Sequence, residues 1–154
     1  MRIILVIFCL SLVIGCAHNN PKNLPIARRL LLACEAVNDS GILQPEKLAE
    51  ILGGKLYSRS EIKGTKFKSA LLWKGKDYQE LLVNFIIEGD ERLTLEELKV
   101  HFNDSTIISE GKTSTVRFER IHGPCGQLYV SADLFFSKAS DNSPVLSFKI
   151  RKPH

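Results

Sequence analysis

The apolar residues of this chain change their spacing once, and that change limits the folds open to it. Ile26, Leu30, Cys34 and Val37 recur at helical spacing, and Ala33 widens the same stripe. Pro25 suits the first turn of such a helix, and Asn38-Asp39-Ser40-Gly41 ends it, so a helix is predicted over 26–37. A second, shorter helix is predicted over 45–52. Leu48, Ile51 and Leu52 form its apolar face, Glu46 lies in its first turn, and Gly53-Gly54 closes it. From Lys55 onward the period moves toward two. Residues 56–59 read as a weak strand and 67–73 as a better one. Leu81, Val83, Phe85 and Ile87 alternate with Leu82, Asn84 and Ile86, so the strand over 81–87 is expected to be covered on both faces.

The last third alternates most cleanly. Val116 and Phe118 interleave with Thr115, Arg117 and Glu119, and Leu128, Val130, Ala132, Leu134 and Phe136 with Gln127, Tyr129, Ser131 and Asp133. Leu146, Phe148 and Ile150 form a final strand with Lys149 and Arg151 toward water. Residues 92–102 fit two templates. Thr94-Leu95-Glu96-Glu97 is a capping-box pattern, with Leu95, Leu98 and Phe102 on one helix face. Two strand pieces joined by a bulge fit as well, and continuity with the preceding hairpin favours strand. Helices first and strands after give an α+β class: two N-terminal helices packed on a mainly antiparallel meander sheet of about five to six strands.

The start of the chain has a different character. One positive charge, Arg2, precedes an apolar run over 3–14, then Gly15 and Cys16. This order of charge, apolar stretch and small residue is that of a secretory signal. The run is too short to span a bilayer core, which needs about 20 apolar residues. Leu12-Val13-Ile14-Gly15-Cys16 resembles the lipobox of bacterial lipoproteins, with Val13 where Leu is commonest. The resemblance implies cleavage between Gly15 and Cys16, diacylglycerol on the Cys16 thiol and an acyl group on the new amino terminus. Acyl chains anchor firmly because each buried methylene contributes about 0.8 kcal/mol. Ala17 stands where an Asp would imply inner-membrane retention, so the resemblance implies an outer-membrane lipoprotein facing the periplasm. The expected organisation is a signal peptide over 1–15, a lipidated tether over 16–25 and a single α+β domain over 26–154.

Without its first fifteen residues the 154-residue chain still has the size of one ordinary domain with its own core. The formal charge of +4 is spread among acids, as in Glu61-Ile62-Lys63, and is not gathered into the stripe a nucleic-acid partner would require. Of the four Cys, Cys9 leaves with the signal and Cys16 takes the lipid. Cys34 and Cys125 remain, and in an oxidising compartment they are expected to pair. The long loop so closed would contribute about 4–5 kcal/mol in the chain-entropy model.

No hydrolase, zinc-protease, nucleotide-binding or dinucleotide-binding motif occurs in the sequence. Glu97 and His101 share a helix or strand face, in a spacing most often used by surface ion pairs. His122-Gly123-Pro124-Cys125-Gly126 places a His near a thiol, but its Gly and Pro describe a tight turn. Glu88, Asp90 and Glu91 lack the spacing of a calcium loop. No catalytic residue, metal ligand or cofactor is therefore assigned. Trp73, the only Trp, and Tyr78 flank Lys74-Gly75-Lys76 and are the candidate partner-binding residues. Phe135, on the polar side of the 128–136 strand, is a weaker surface candidate. The expected role is protein–protein binding in the cell envelope, as an inhibitor or immunity-like protein or as an accessory subunit. The alternatives are an envelope enzyme such as a cell-wall hydrolase, or a carrier of a lipid or other small ligand.

Overall fold

The computed structural model describes residues 23–40, 44–88, 92–102, 105–109, 113–118, 121–123, 126–136 and 139–154. Two helices come first, α1 (Ile26–Ser40) and α2 (Pro45–Leu52). Four strands follow: β1 (Gly54–Ser58), β2 (Glu61–Gly64), β3 (Ser69–Lys74) and β4 (Tyr78–Asn84). After a short α3 (Leu95–Lys99) come β5 (Ser105–Ser109), β6 (Ser114–Phe118), β7 (Ile121–Gly123), β8 (Gly126–Leu134) and β9 (Val145–Pro153). The α+β class stands, and α2 has the bounds its sequence implies. Gly53 closes α2 at φ 71, where a Cβ would be strained, and its N–H reaches the carbonyls of Ala49 and Glu50.

The strands form one antiparallel sheet of nine among the described residues, in the order β1-β2-β3-β4-β9-β8-β6-β5, with β7 paired to β8. This corrects both the strand count and the topology expected from sequence. β9 lies between β4 and β8, so two meanders are joined through the last strand. Local turn reasoning fails here because the connection after β4 carries a helix instead of a tight hairpin. The extra strands are short: β2 has four residues and β7 three, too few for an alternation to register.

Residues 95–99 are helical, against the strand reading. Thr94 is the N-cap, its Oγ1 accepting from Glu97 N–H at 3.4 Å, while Glu97 Oε2 accepts from Thr94 N–H at 2.8 Å. Two otherwise orphaned backbone donors are thus satisfied, and Leu95, Leu98 and Phe102 turn into the core. Phe102 packs on Phe118 and on Phe148, with ring centroids 5.2 Å apart in both cases. β4 is buried on alternate residues only. Leu81 and Val83 enter the core whereas Leu82 and Asn84 face outward, so the expectation of cover on both faces is also corrected. Phe136 lies beyond the end of β8 and is 51% exposed instead of continuing its buried face.

The core lies on one side of the sheet. Leu30, Ala33, Cys34 and Val37 of α1 and Leu48 and Leu52 of α2 meet Ile62, Leu81, Val83, Val130, Ala132, Phe148 and Ile150. Arg29 is buried at the junction of the two helices. Its Nε donates to Leu24 O and its Nη1 to Leu52 O, both at 2.9 Å, so one guanidinium fixes the approach to α1 and the end of α2. No helix among the described residues is long and apolar enough to cross a membrane.

Candidate functional site

The helices cover one face of the sheet, and the outward-pointing residues of the other face can be followed strand by strand. One row runs Ser69, Asn84, Ser147, Asp133, Thr115. It is polar throughout and internally bonded. Asn84 Nδ2 donates to Ser69 Oγ at 3.2 Å, and Asp133 accepts from Thr115 Oγ1 at 2.7 Å and from Ser147 Oγ at 2.9 Å. The next row runs Leu71, Leu82, Lys149, Ser131, Arg117. The third runs Trp73, Glu80, Arg151, Tyr129. The open face is therefore apolar and aromatic toward β3, and basic and hydroxylic toward β6. A shallow cleft of about 390 Å³ lies on the basic half, lined by Arg117, Tyr129, Ser131, Asp133, Lys149 and Arg151.

The third row ends in a cluster of aromatic and charged groups. Trp73 and Tyr78 are brought together with ring centroids 4.7 Å apart and planes tilted by 44°. The Arg151 guanidinium lies 4.2 Å above the Tyr78 ring and binds Glu80 Oε2 through Nη2 at 2.7 Å and Nε at 2.8 Å. The Glu80 carboxylate thus holds Arg151 over the aromatic ring, which restrains a long side chain at a surface. Tyr78 and Arg151 are half-buried, whereas Trp73 is 51% exposed. The turn beneath is specific to this arrangement. Gly75 N–H donates to Tyr78 O at 2.9 Å, and a Cβ on Gly75 would overlap the Trp73 indole at Cη2 and Cζ3. His154 braces the same turn, its backbone N–H donating to Asp77 O at 3.1 Å.

Sequence reasoning singled out Trp73 and Tyr78 but neither Glu80, two residues on from Tyr78, nor Arg151, which is far off in the chain and joins them only because β9 pairs with β4. Gly75, next but one to Trp73, was the local signal that an indole could fold back over the turn. The other candidates are not assembled into a site. Glu97 Oε2 accepts from both the Thr94 N–H and hydroxyl, so this carboxylate serves as the cap of α3. Glu88 is exposed, and Asp90 and Glu91 lie outside the described residues. Among the described residues, no three His, Cys, Asp or Glu side chains gather as metal ligands would.

Cys34 is wholly buried on α1 with a free thiol. Burial, and secondarily the charge of Glu35, pushes its ionisation far above the usual thiol range. Cys125 lies outside the described residues, as do Cys16 and the side chain of His122. α1 packs beside β7 and β8, the strands on either side of Cys125 in the chain.

The chain matches no protein-family model, no curated protein and no solved structure. The functional reading consequently rests on the residues themselves.

Proposed function

We propose that this protein is a lipid-anchored binding protein of the bacterial cell envelope, attached to the outer membrane through Cys16. It holds a protein partner on the open face of its sheet, in the manner of an inhibitor or immunity-like protein or of an accessory subunit. The observation that carries the reading is the Trp73–Tyr78–Arg151 cluster at the edge of an uncovered sheet face. Trp, Tyr and Arg are the side chains most enriched where interfaces concentrate their binding energy. The cluster is ordered before any partner arrives, which lowers the entropy lost on docking. Leu71 and Leu82 extend it with apolar surface, and Lys149 and Arg117 add charge that favours partners with acidic side chains.

Affinity capture from detergent-solubilised envelope, with the lipidated protein as bait, tests the proposal. A stoichiometric exported protein is expected with the wild type. Trp73→Ala should lower its recovery by at least about tenfold, the effect of losing a hot-spot residue. Gly75→Ala should weaken capture as well, because its methyl group drives the indole from its place over the turn. If both variants capture the partner as well as the wild type does, the binding surface lies elsewhere.

A further inference from the structure

The two ends of the sheet differ in a way the open face does not explain. At the end where β4 and β8 finish and β9 begins, three large apolar side chains are exposed: Ile86 at 50%, Phe135 at 47% and Phe136 at 51%. Phe135 and Phe136 form an edge-to-face pair with centroids 5.2 Å apart. Their backbones are held by the sheet, since Phe135 N–H donates to Pro144 O at 3.0 Å and Phe136 O accepts from Ser114 N–H at 3.1 Å. Phe85 N–H donates to Leu146 O at 2.9 Å, which places Ile86 within two strand spacings of Phe135, about 10 Å.

The chain also joins the domain at this end. Leu24 and Pro25 line one cavity with Lys66, Arg92, Leu93 and Glu97. Leu93 O accepts from Val145 N–H at the first residue of β9, and Lys68 N–H donates to Asn84 O at the last residue of β4. Lys66 and Arg92 thus lie beside the point of attachment together with one acid, Glu97, and Lys68 stands nearby at the end of β4. The described chain starts at Asn23, seven residues on from Cys16. Seven residues span at most about 25 Å when fully extended.

We infer that this end of the sheet rests on the lipid surface. Phe135, Phe136 and Ile86 enter the interfacial layer, and Lys66, Lys68 and Arg92 lie against anionic headgroups. The inference rests on Cys16 being the acylated anchor. A short tether keeps the attachment end close to the bilayer, and exposed aromatic and apolar side chains there gain by leaving water for the interface, as in other interfacial anchors. Orientation follows from the same geometry. β9 runs from this end to Pro153 beside Tyr78, nine residues and about 27 Å, so Trp73 and Tyr78 face away from the membrane.

The sole Trp supplies the test. Full-length lipidated protein is incorporated into vesicles of phosphatidylethanolamine and phosphatidylglycerol, with and without brominated acyl chains that quench indole emission on contact. Intact mass reports acylation separately. Trp73 of the wild type should keep its emission in brominated vesicles. In Trp73→Phe carrying Phe136→Trp, emission should shift to the blue and lose at least half its intensity, and a second variant with Phe135→Trp guards against a local defect at position 136. If acylated, vesicle-bound protein shows no quenching at 135 or 136, or shows it at Trp73, the orientation is overturned while the anchor stands. Protein that carries no acyl chain overturns the anchor and the orientation with it.

Discussion

Arg29 joins two segments that share no periodicity in sequence. Its fork donates from Nε to Leu24 O and from Nη1 to Leu52 O, the second bond being buried and at a helix C-terminus, where a cation is favoured. Removing it strands a buried carbonyl, so Arg29→Ala should destabilise the domain by about 2–3 kcal/mol, read from urea unfolding. Arg29→Lys should recover little of this, because one ammonium cannot reproduce two fixed N–H directions. Lys152 is the opposite case. It is buried on the core face of β9, and its Nζ has no hydrogen-bond partner among the described residues. Lys152→Met keeps the stem and removes the unsatisfied group, and should raise stability by about 1–3 kcal/mol. A lower unfolding midpoint for the Met variant would show that the amino group is satisfied.

Among the elements, α3 shows how a short motif overrides a longer pattern. Five residues cannot make a stable helix by propensity alone. The capping box satisfies its first donors and the Phe102, Phe118 and Phe148 rings hold its far end, so local hydrogen bonding and tertiary packing act together. Thr94→Ala should cost about 1 kcal/mol. Hydrogen exchange should rise at the backbone amides of residues 96–98 while β4 and β9 keep their protection. Equal loss throughout the sheet would mean that α3 is part of the global folding unit. The strand reading of 92–102 failed because it took nearness to a hairpin as a guide, whereas the connection from β4 crosses to the far side of the sheet. Much of the candidate site was hidden for the same reason. Trp73 and Tyr78 sit on one hairpin and could be found locally, but Arg151 becomes a neighbour of Tyr78 and Glu80 only through the β4–β9 register.

For the molecule as a whole, the state of Cys34 links fold to compartment. As a free thiol it is ionised far less readily in the native state than in the unfolded chain, where thiols titrate near 8.5. The raised native value means the unfolded state sheds its proton first. Stability from this group is therefore complete below about pH 8.5 and falls as pH rises beyond it. A Cys34–Cys125 disulfide, which an oxidising compartment would permit, abolishes that decline. Unfolding of the envelope-isolated protein at pH 7 and pH 10, before and after reduction, distinguishes the two. A disulfide predicts a smaller pH dependence and higher stability before reduction, and identical curves would show that the thiols are free. Native Cys34 should also resist alkylation until the domain unfolds, since it is wholly buried.

Period and punctuation in the sequence determined the α+β class, the two leading helices and the alternating faces of β6, β8 and β9. Those features depend on contacts within a few residues: an apolar stripe every three to four positions, a two-residue alternation, a Pro or Gly where only they are unstrained. The resemblance of residues 12–16 to a lipobox is of the same local kind. The tertiary structure decided which strands are neighbours, which face stays uncovered and which distant charges meet the exposed aromatics. Strand pairing joins residues far apart in the chain, and neither the insertion of β9 between β4 and β8 nor the cluster it completes around Trp73 leaves a periodic mark in the sequence.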